Sequence, residues 1–284
     1  MRQLRDIELE KGATETIVEL SSVFEGIASM KIAKIKSQVL QATEFFNDLW
    51  AIYAQLRVDS LFRFGRVEST SEVIDKELYI VITAEGSFSG DIDQKLINWM
   101  LKTYDPIKND IVVIGHHGAV QLAQKSIPYK KYFKLPEKDQ NINVMPIIKI
   151  VQKYRNTSVF YQEYKSLMVQ DVKKIELSTA VKQLGDQVDE TTEVISEDTY
   201  IFEPSTFAVV GHLEQSMLQI SMSQLIFDSK LAQYASRYKA MSAAHQAADD
   251  SLDDLKLQFN RAKRSIKDER LKEMVNGLRK SGAA

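Results

Sequence analysis

The chain has 284 residues and a formal net charge of −2, from 37 basic and 39 acidic side chains. This near balance gives no overall basic surface, so the sequence predicts no nucleic-acid partner. The absence of cysteine excludes disulfides and thiolate chemistry, and no run approaches the roughly 18 apolar residues of a membrane span. Because the first residues lack the apolar region of a signal peptide, we expect a cytoplasmic protein.

The first predicted element is a long amphipathic helix from Thr14 to about Arg57. Its apolar residues recur at alternating intervals of three and four residues, the spacing of one helical face. The apolar seam begins with Ile17 and Leu20 and resumes in a shifted phase at Ala28. This shift amounts to a four-residue stutter, which would locally unwind a supercoil.

The middle of the chain alternates short apolar runs with amphipathic segments. Continuous apolar runs of four to eight residues are typical of buried strands, whereas three-four spacing is typical of helices. Strands that alternate with helices in this way predict a small α/β, Rossmann-like domain with crossover connections. The predicted strands are 78–83, 110–114, 159–164 and 168–177, and the predicted helices lie near 92–104, 119–125 and 145–154.

Two stretches of the middle region could carry chemistry. Glu85–Gly90 follows a strand and precedes a helix, where free amides can bind a phosphate, but it lacks both nucleotide-loop spacings and has no lysine. His116 and His117 could bind a metal or transfer protons, but adjacent residues of an extended chain point in opposite directions. A loop role is therefore favoured for both stretches, and we predict no catalytic residue, cofactor site or metal site.

The region from Gly185 to Glu203 contains seven acidic residues and no lysine or arginine. A run of one charge sign is typical of a solvated loop rather than of a binding site. We therefore predict a surface loop that joins the middle region to the C-terminal helix.

The last predicted element is a helix with a 3.5-residue apolar repeat from Leu213 to Ile266 and no proline or glycine before Asn276. Its seam would be about 85 Å long, which predicts a rod rather than the inside of a compact domain. Only Gln224 and His245 are polar on this seam, and we expect them to fix the register of the helix against its partner.

These patterns together predict an α/β fold class with an unusual architecture. The N-terminal helix, within residues 1–60, and the C-terminal helix, within 205–284, would form a long antiparallel two-helix coiled coil. Residues 61–204 would form the small central α/β domain.

Several motifs, in the same order and spacing, resemble the gamma subunit of F-type ATP synthase. The C-terminal signature of that family is similar to three runs, and weaker similarities reach back to the N-terminus. The matching stretches are Ala235–Ala247, Leu252–Arg264, Glu273–Gly277, Ala28–Lys36, Leu4–Ile7 and Tyr200–Pro204.

The resemblance implies a central stalk that turns inside a ring of alpha and beta subunits, transmits torque and supplies no catalytic residue. The central domain would lie outside the ring, against an epsilon-like subunit and a c ring or its substitute. Membrane association, at the inner face of a bacterial plasma membrane, would occur only through the complex. The implied ring-contacting residues are Met30, Lys31, Gln258, Arg261, Lys263, Arg264, Met274 and Val275, and Gly86 and Gly90 would belong to a loop facing the foot of the motor.

The sequence departs from the family pattern in the Glu85–Gly90 loop and at the C-terminal tip. Two functions therefore stay open at this stage. One is the shaft of a proton-coupled ATP synthase, and the other is the shaft of a specialised F-type-like ATPase, as in mycoplasmas, that drives gliding motility or another process by ATP hydrolysis. A small-molecule enzyme and a structural coiled-coil scaffold are the rivals from other classes.

Overall fold

The computed structural model describes residues 4–55, 73–86, 88–135, 142–185, 203 and 205–281. Most of the acidic stretch predicted as a loop, and most of the Tyr200–Pro204 motif, lie outside these residues. The described elements are α1 (Leu4–Gln55), β1 (Ile74–Ile82), α2 (Ile92–Leu101), β2 (Asn109–Ile114), α3 (His116–Gln124), β3 (Lys131–Phe133), α4 (Met145–Val151), β4 (Tyr154–Tyr164), β5 (Gln170–Glu176), α5 (Leu177–Gly185) and α6 (Thr206–Ser281).

The chain divides into two compact units. The first, which we call the helical unit, takes its described residues from Met1–Ile27 and Tyr238–Ala284, and the second, the sheet unit, is Ala28–Arg237. Both long helices predicted from periodicity are present, with 52 residues in α1 and 76 in α6. The boundaries at residues 60 and 204 remain predictions.

The sheet unit contains a five-stranded sheet in the order β3-β2-β1-β4-β5. The first four strands in this order are parallel, and β5 pairs antiparallel with β4. β1 lies in the centre, where Tyr79 is opposite Ile111 of β2 and Ser158 of β4. Parallel neighbours require crossover connections, and helices supply them here. The predicted small α/β, Rossmann-like domain with crossover connections is confirmed.

Alternate residues of β1 face opposite layers of helices, because side chains of a strand alternate between the two faces of a sheet. Tyr79 and Val81 pack in a cluster with residues of α2 and α3. Leu78, Ile80 and Ile82 pack in a second cluster with residues of α1, α4, α5 and α6. Helices therefore cover both faces, which explains why β1 and β2 are continuous apolar runs.

The first half of α6 is part of this second cluster rather than of a free rod. Met217, Leu218, Met222 and Ile226 of α6 are all fully buried in it. The prediction that this helix could not be inside a compact domain is therefore wrong for residues 213–235. In this part of α6 the apolar face packs against the sheet as well as against α1.

The predicted stutter in α1 is wrong. Ile17 and Leu20 are each 52% exposed, whereas the neighbouring Ser21 is 4% exposed. The inward-facing positions follow one unbroken three-four spacing, in which polar residues replace apolar ones near the N-terminus. They are Ile7, Lys11, Thr14, Val18, Ser21, Glu25, Ala28, Ile32, Ile35, Val39, Ala42, Phe46, Leu49 and Tyr53.

The short elements differ most from the sequence-based expectation. Strand β3 and helix α5 were not predicted, and the helix predicted over 145–154 ends at Val151. Tyr154 instead begins β4, and Leu177, predicted as a strand residue, begins α5. The segment from Leu177 has helical spacing of its own, but it follows the strand directly, so an apolar run crosses the boundary between them.

Candidate functional site

The carboxyl edge of the sheet between β1 and β4 is the switch point of this topology, because the chain turns in opposite directions on its two sides. Ligands of doubly wound sheets bind in the crevice at such a point. Here a group of polar side chains fills that position: Asp93 at the start of α2, Gln162 on β4, and Ser229 and Gln233 on α6. We call these four residues the switch-point network.

Asp93 is the centre of the network and is only 3% exposed. Its carboxylate accepts hydrogen bonds from the Ala84 amide at 3.2 Å, from Gln162 Nε2 at 2.7 Å and from His117 Nδ1 at 3.0 Å. Gln162 Oε1 in turn accepts the Ser229 hydroxyl and, at 3.3 Å, Gln233 Nε2. Helix α6 is thus hydrogen-bonded directly to β4 at the position where doubly wound sheets bind a ligand.

His117 lies at the outer side of this network, with 28% of its side chain exposed. The hydrogen bond to Asp93 raises the pKa of His117, while burial and the nearby Arg237 oppose this rise. When His117 is protonated, its imidazolium faces the buried carboxyl group of Asp93 at 3.0 Å. The predicted loop position of His116 and His117 is wrong, because they are the first two residues of α3. His117 bonds to Asp93, and His116 donates its backbone amide to Glu85.

Glu85 occupies the N-terminus of α3, where a phosphate loop would bind its ligand. Its carboxylate accepts the His116 amide at 2.7 Å and the Tyr132 hydroxyl at 3.0 Å. Burial and the hydrogen bond to Glu85 raise the pKa of Tyr132 to about 12, so the phenol keeps its proton. A carboxylate at a helix N-terminus repels phosphate, and the first turn of α2, which follows the Glu85–Gly90 loop, also has one in Asp93. This loop is therefore unsuitable for a nucleotide.

The glycines of the predicted foot-facing loop lie against α6. A Cβ atom on Gly86 would be 3.3 Å from Arg237 Nη2, and one on Gly90 would be 3.2 Å from Ser236 Oγ. Ser236 Oγ donates to the Ser89 carbonyl oxygen at 2.6 Å, and Arg237 Nη2 donates to that of Gly86 at 3.3 Å. Gly90 also has a φ of +67°. The loop is thus attached to the helix, and its contact with a foot remains a prediction.

The ring-contacting residues predicted on α6 belong to the helical unit and are on its surface. Phe259 is half-buried, and both Lys11 and Lys263 place their ammonium groups 5.9 Å from the centre of its ring. All residues from 271 to 278 are exposed, and Met274 is 59% exposed. The exposed predicted residues of this group are Gln258, Arg261, Lys263, Arg264, Met274 and Val275.

The ring-contacting residues predicted on α1 are Met30 and Lys31, which belong to the sheet unit. Met30 is 67% exposed, whereas Lys31 is half-buried with its ammonium 6.0 Å from the centre of the Tyr234 ring on α6. The structure thus gives Lys31 an internal contact that its sequence position did not indicate. Met30 has the free apolar surface that a partner would cover.

The two polar seam residues bond α6 to α1. His245 Nδ1 lies 3.1 Å from the Val18 carbonyl oxygen, which only accepts, so this nitrogen is the donor. In the sheet unit, Gln224 Nε2 donates to Thr43 Oγ1 at 3.1 Å. A slip of one residue would break either bond, as expected for residues that set register.

Two further properties of the described residues bear on function. No group of three or more histidine, aspartate or glutamate side chains among them could hold a metal ion. No helix among them is long and apolar enough to cross a membrane.

The chain is similar to known proteins along almost its whole length. A family model described as ATP synthase matches residues 3–279. Curated relatives named ATP synthase gamma chain include one from Mycoplasmoides gallisepticum, 20% identical, covering 99% of this chain and 100% of the relative. Another, from Acetivibrio thermocellus, is 25% identical and covers 98% of each chain.

Solved structures show the same fold. The chain matches a chain of the Euglena gracilis mitochondrial ATP synthase assembly of OSCP, F1 and c-ring with a TM-score of 0.65 and 14% identity, over 98% of this chain and 95% of that one. A match to the rotor of the same synthase has a TM-score of 0.59 and 13% identity, over 92% and 98%. The whole-length match to the family model, with the motifs and the fold, shows that the chain belongs to the gamma-subunit family of ATP synthase.

Proposed function

We propose that this chain is the central stalk of a rotary F-type ATPase and transmits torque between a ring of alpha and beta subunits and the foot of the motor. The observation that carries this proposal is the match from residue 3 to residue 279, which includes both long helices and the sheet. A structural coiled-coil scaffold could have two similar long helices. It would not be expected to match the family model also across the sheet domain between them.

The helical unit has exposed apolar side chains that a surrounding partner could cover. Ile17, Leu20, Val23 and Ile27 form an exposed apolar stripe at helical spacing on α1, and none is less than 39% exposed. The end of α6 adds Leu271, Met274, Val275 and Leu278, each at least 47% exposed. Groups of exposed apolar side chains such as these mark an interaction site. We assign Met274 and Val275 to contact with the ring, together with the basic residues before them.

We further propose that the chain contributes no catalytic residue. Several described groups whose pKa is raised are bonded within the structure: His117 to Asp93, Tyr132 to Glu85 and Tyr154 to Asp110. An asymmetric shaft acts differently, because its orientation makes the three catalytic sites of the ring unequal. Each step of rotation then exchanges their conformations.

The partners at the foot are an epsilon-like subunit and a c ring or its substitute. Association with the inner face of a bacterial plasma membrane occurs through those partners, and the bacterial relatives support this location. The relatives carry the name of the synthase chain, so the comparisons do not favour the alternative of a motor for gliding motility. Proton-coupled ATP synthesis and hydrolysis are therefore the proposed roles of the complex.

Photocrosslinking within the native complex tests this proposal. A photoreactive residue at Met274 should crosslink to alpha or beta subunits, which mass spectrometry would identify. The matched control is Ile107, which is 80% exposed in the turn before β2 and lies on the domain assigned to the outside of the ring. Crosslinks from Met274 only to other proteins, or a purified complex without ATPase activity, would contradict the proposal.

A further inference from the structure

We propose that the switch-point network, Asp93, Gln162, Ser229 and Gln233, is the joint that stops α6 from turning or sliding against the sheet while torque passes between them. This inference rests on the proposed function as a shaft. It assigns a mechanical role to polar residues at the position where doubly wound sheets ordinarily bind a ligand. The residues that resist movement of α6 under torque would then be buried inside the sheet unit. They would not lie on the surface that contacts the ring.

The apolar contacts of α6 cannot supply this resistance alone. Hydrophobic burial is non-directional and depends on the area removed from water. The helix presents flexible methionines to the sheet at Met217 and Met222, and Met side chains adapt readily to altered neighbours. A small rotation or shift of α6 would therefore exchange one apolar contact for another at little cost.

The buried hydrogen bonds have no such freedom. Gln162 and Ser229 are fully buried, and Asp93 and Gln233 are 3% and 5% exposed. If α6 turned, Gln162 Oε1 would lose both the Ser229 hydroxyl and its 3.3 Å bond from Gln233 Nε2. Water could not replace these partners, so the slipped position carries the full cost of unpaired buried groups. The bond from Gln162 to Asp93 ties the same residues to the start of α2.

A second attachment lies one to two turns further along the helix. Ser236 and Arg237 donate to the carbonyl oxygens of Ser89 and Gly86 in the loop after β1. The network and this loop therefore hold one side of α6 at successive turns. Two such attachments resist rotation about the helix axis better than either one alone.

Rotation under load tests the joint in the assembled complex. The ring is fixed to a surface, and a bead is attached through Ile107→Cys, labelled before assembly on a chain that has no other cysteine. Torque from the ring reaches the bead through the contacts that α1 and α6 make with the sheet. A weaker contact of α6 should therefore reduce the rotation of the bead. The measurement is the number of bead rotations per ATP hydrolysed, at low and at high viscous load.

Ser229→Ala and Gln233→Leu weaken the joint, and Ser221→Ala is the matched control. Ser221 is also buried on α6, but its hydroxyl has no hydrogen-bond partner among the described residues. Each joint variant should raise the population of slipped α6 about tenfold or more, because it leaves buried groups unpaired. We expect fewer rotations per ATP at high load, with the ATPase rate and the low-load rotation unchanged. The control should behave as the unmodified chain does at every load.

A reversible crosslink provides the rescue. In the Ser229→Ala background, Gly90→Cys with Ser236→Cys would bring the two side chains together, since a Cβ on Gly90 would lie 3.2 Å from Ser236 Oγ. Because φ at Gly90 is +67° and Ser236→Cys removes the hydroxyl bonded to Ser89, the reference is this same variant in its reduced form. Oxidation before labelling should restore the rotations per ATP at high load, and reduction should remove the gain. A merely structural role would change thermal stability without this load-dependent, reducible recovery.

The results distinguish failure of the proposed network role from failure of the proposed shaft function. If the unmodified chain never turns the bead, the proposed function fails and the joint fails with it. If the unmodified chain turns the bead and both joint variants keep its rotations per ATP at high load, the shaft stands and the joint is refuted. An equal loss in Ser221→Ala would also refute it.

Discussion

Replacement of Asp228 by asparagine should stabilise the sheet unit at neutral and alkaline pH. Asp228 lies half-buried on α6, and burial raises its pKa from 3.8 to about 6, with Glu163 adding to this rise and Lys173 opposing it. A tenfold change in proton affinity is equivalent to about 1.4 kcal/mol, so this rise in pKa corresponds to about 3 kcal/mol of lost unfolding free energy.

The direction of the pH dependence follows from how tightly the folded and unfolded chains bind the proton of Asp228. The folded chain holds the Asp228 proton more tightly than the unfolded chain, so the carboxyl has no cost below its unfolded pKa of 3.8. The cost grows as pH rises and is complete above about pH 6, where the buried group is ionised. Asp228→Asn should therefore gain about 2–3 kcal/mol at pH 8 and nearly nothing at pH 4.

Urea unfolding measured by tryptophan fluorescence provides the assay. The chain has two tryptophans, and Trp50→Phe leaves Trp99, whose ring lies 5.6 Å from that of Phe160 in the sheet unit. The control is Asp171→Asn, because the hydrogen bond from Lys165 lowers the pKa of Asp171. That variant should gain no stability at pH 8. An equal gain for Asp228→Asn at pH 4 and pH 8 would refute the reasoning.

Three other predictions use the same unfolding assay. His117→Gln should flatten the pH dependence, because the raised pKa of His117 gives stability that is complete below about pH 6.5 and is lost as pH rises through the higher folded value. A loss of stability that is equal at pH 5.5 and pH 9 would contradict this. Gly115→Ala should be strongly destabilising, because φ is +97° and a Cβ would lie 2.6 Å from the carbonyl carbon of Thr83, the residue after β1. Gly12→Ala, with no other atom within 4 Å of a Cβ there, should gain up to about 1 kcal/mol in its helix. Circular dichroism, which follows both long helices, would detect the Gly12 effect. Phe46→Ala should cost about 3–5 kcal/mol, since the ring is fully buried beside the sheet, and a cost below 1 kcal/mol would show that α1 does not pack there.

The long elements could be predicted because periodicity accumulates over many turns. The 76 residues of α6 repeat the same spacing often enough that no short irregularity hides it. Its environment could not be predicted in the same way. A helix in a two-stranded rod and a helix on a sheet both need an apolar face, so the seam does not distinguish the buried first half of α6 from the exposed end.

The phase error in α1 has a physical cause. Periodicity follows apolar residues, and Ile17 and Leu20 satisfy the spacing on the outer face of the helix. The inner face at that level has Ser21, whose hydroxyl bonds to the Ile17 carbonyl oxygen at 2.8 Å and so can be buried. A polar residue whose hydrogen bond is made within its own helix can be buried, but it does not contribute to an apolar repeat in the sequence.

The switch-point network could not be found by reading along the chain. Asp93, Gln162 and Ser229 come from α2, β4 and α6, and no motif places them together. One signal was present, because Ser229 and Gln233 are polar residues four apart that directly follow the apolar face of Met222, Leu225 and Ile226 on α6. Polar pairs of this kind inside an apolar helix face indicate a buried hydrogen-bond partner from elsewhere in the fold.

Rotation of the unmodified chain tests the central claim most directly. With the ring fixed to a surface and a bead on Ile107→Cys, addition of ATP should turn the bead continuously in one direction, and removal of ATP should stop it. A bead that only fluctuates about one orientation, while the same complex hydrolyses ATP, would contradict the account of this chain as a rotating shaft.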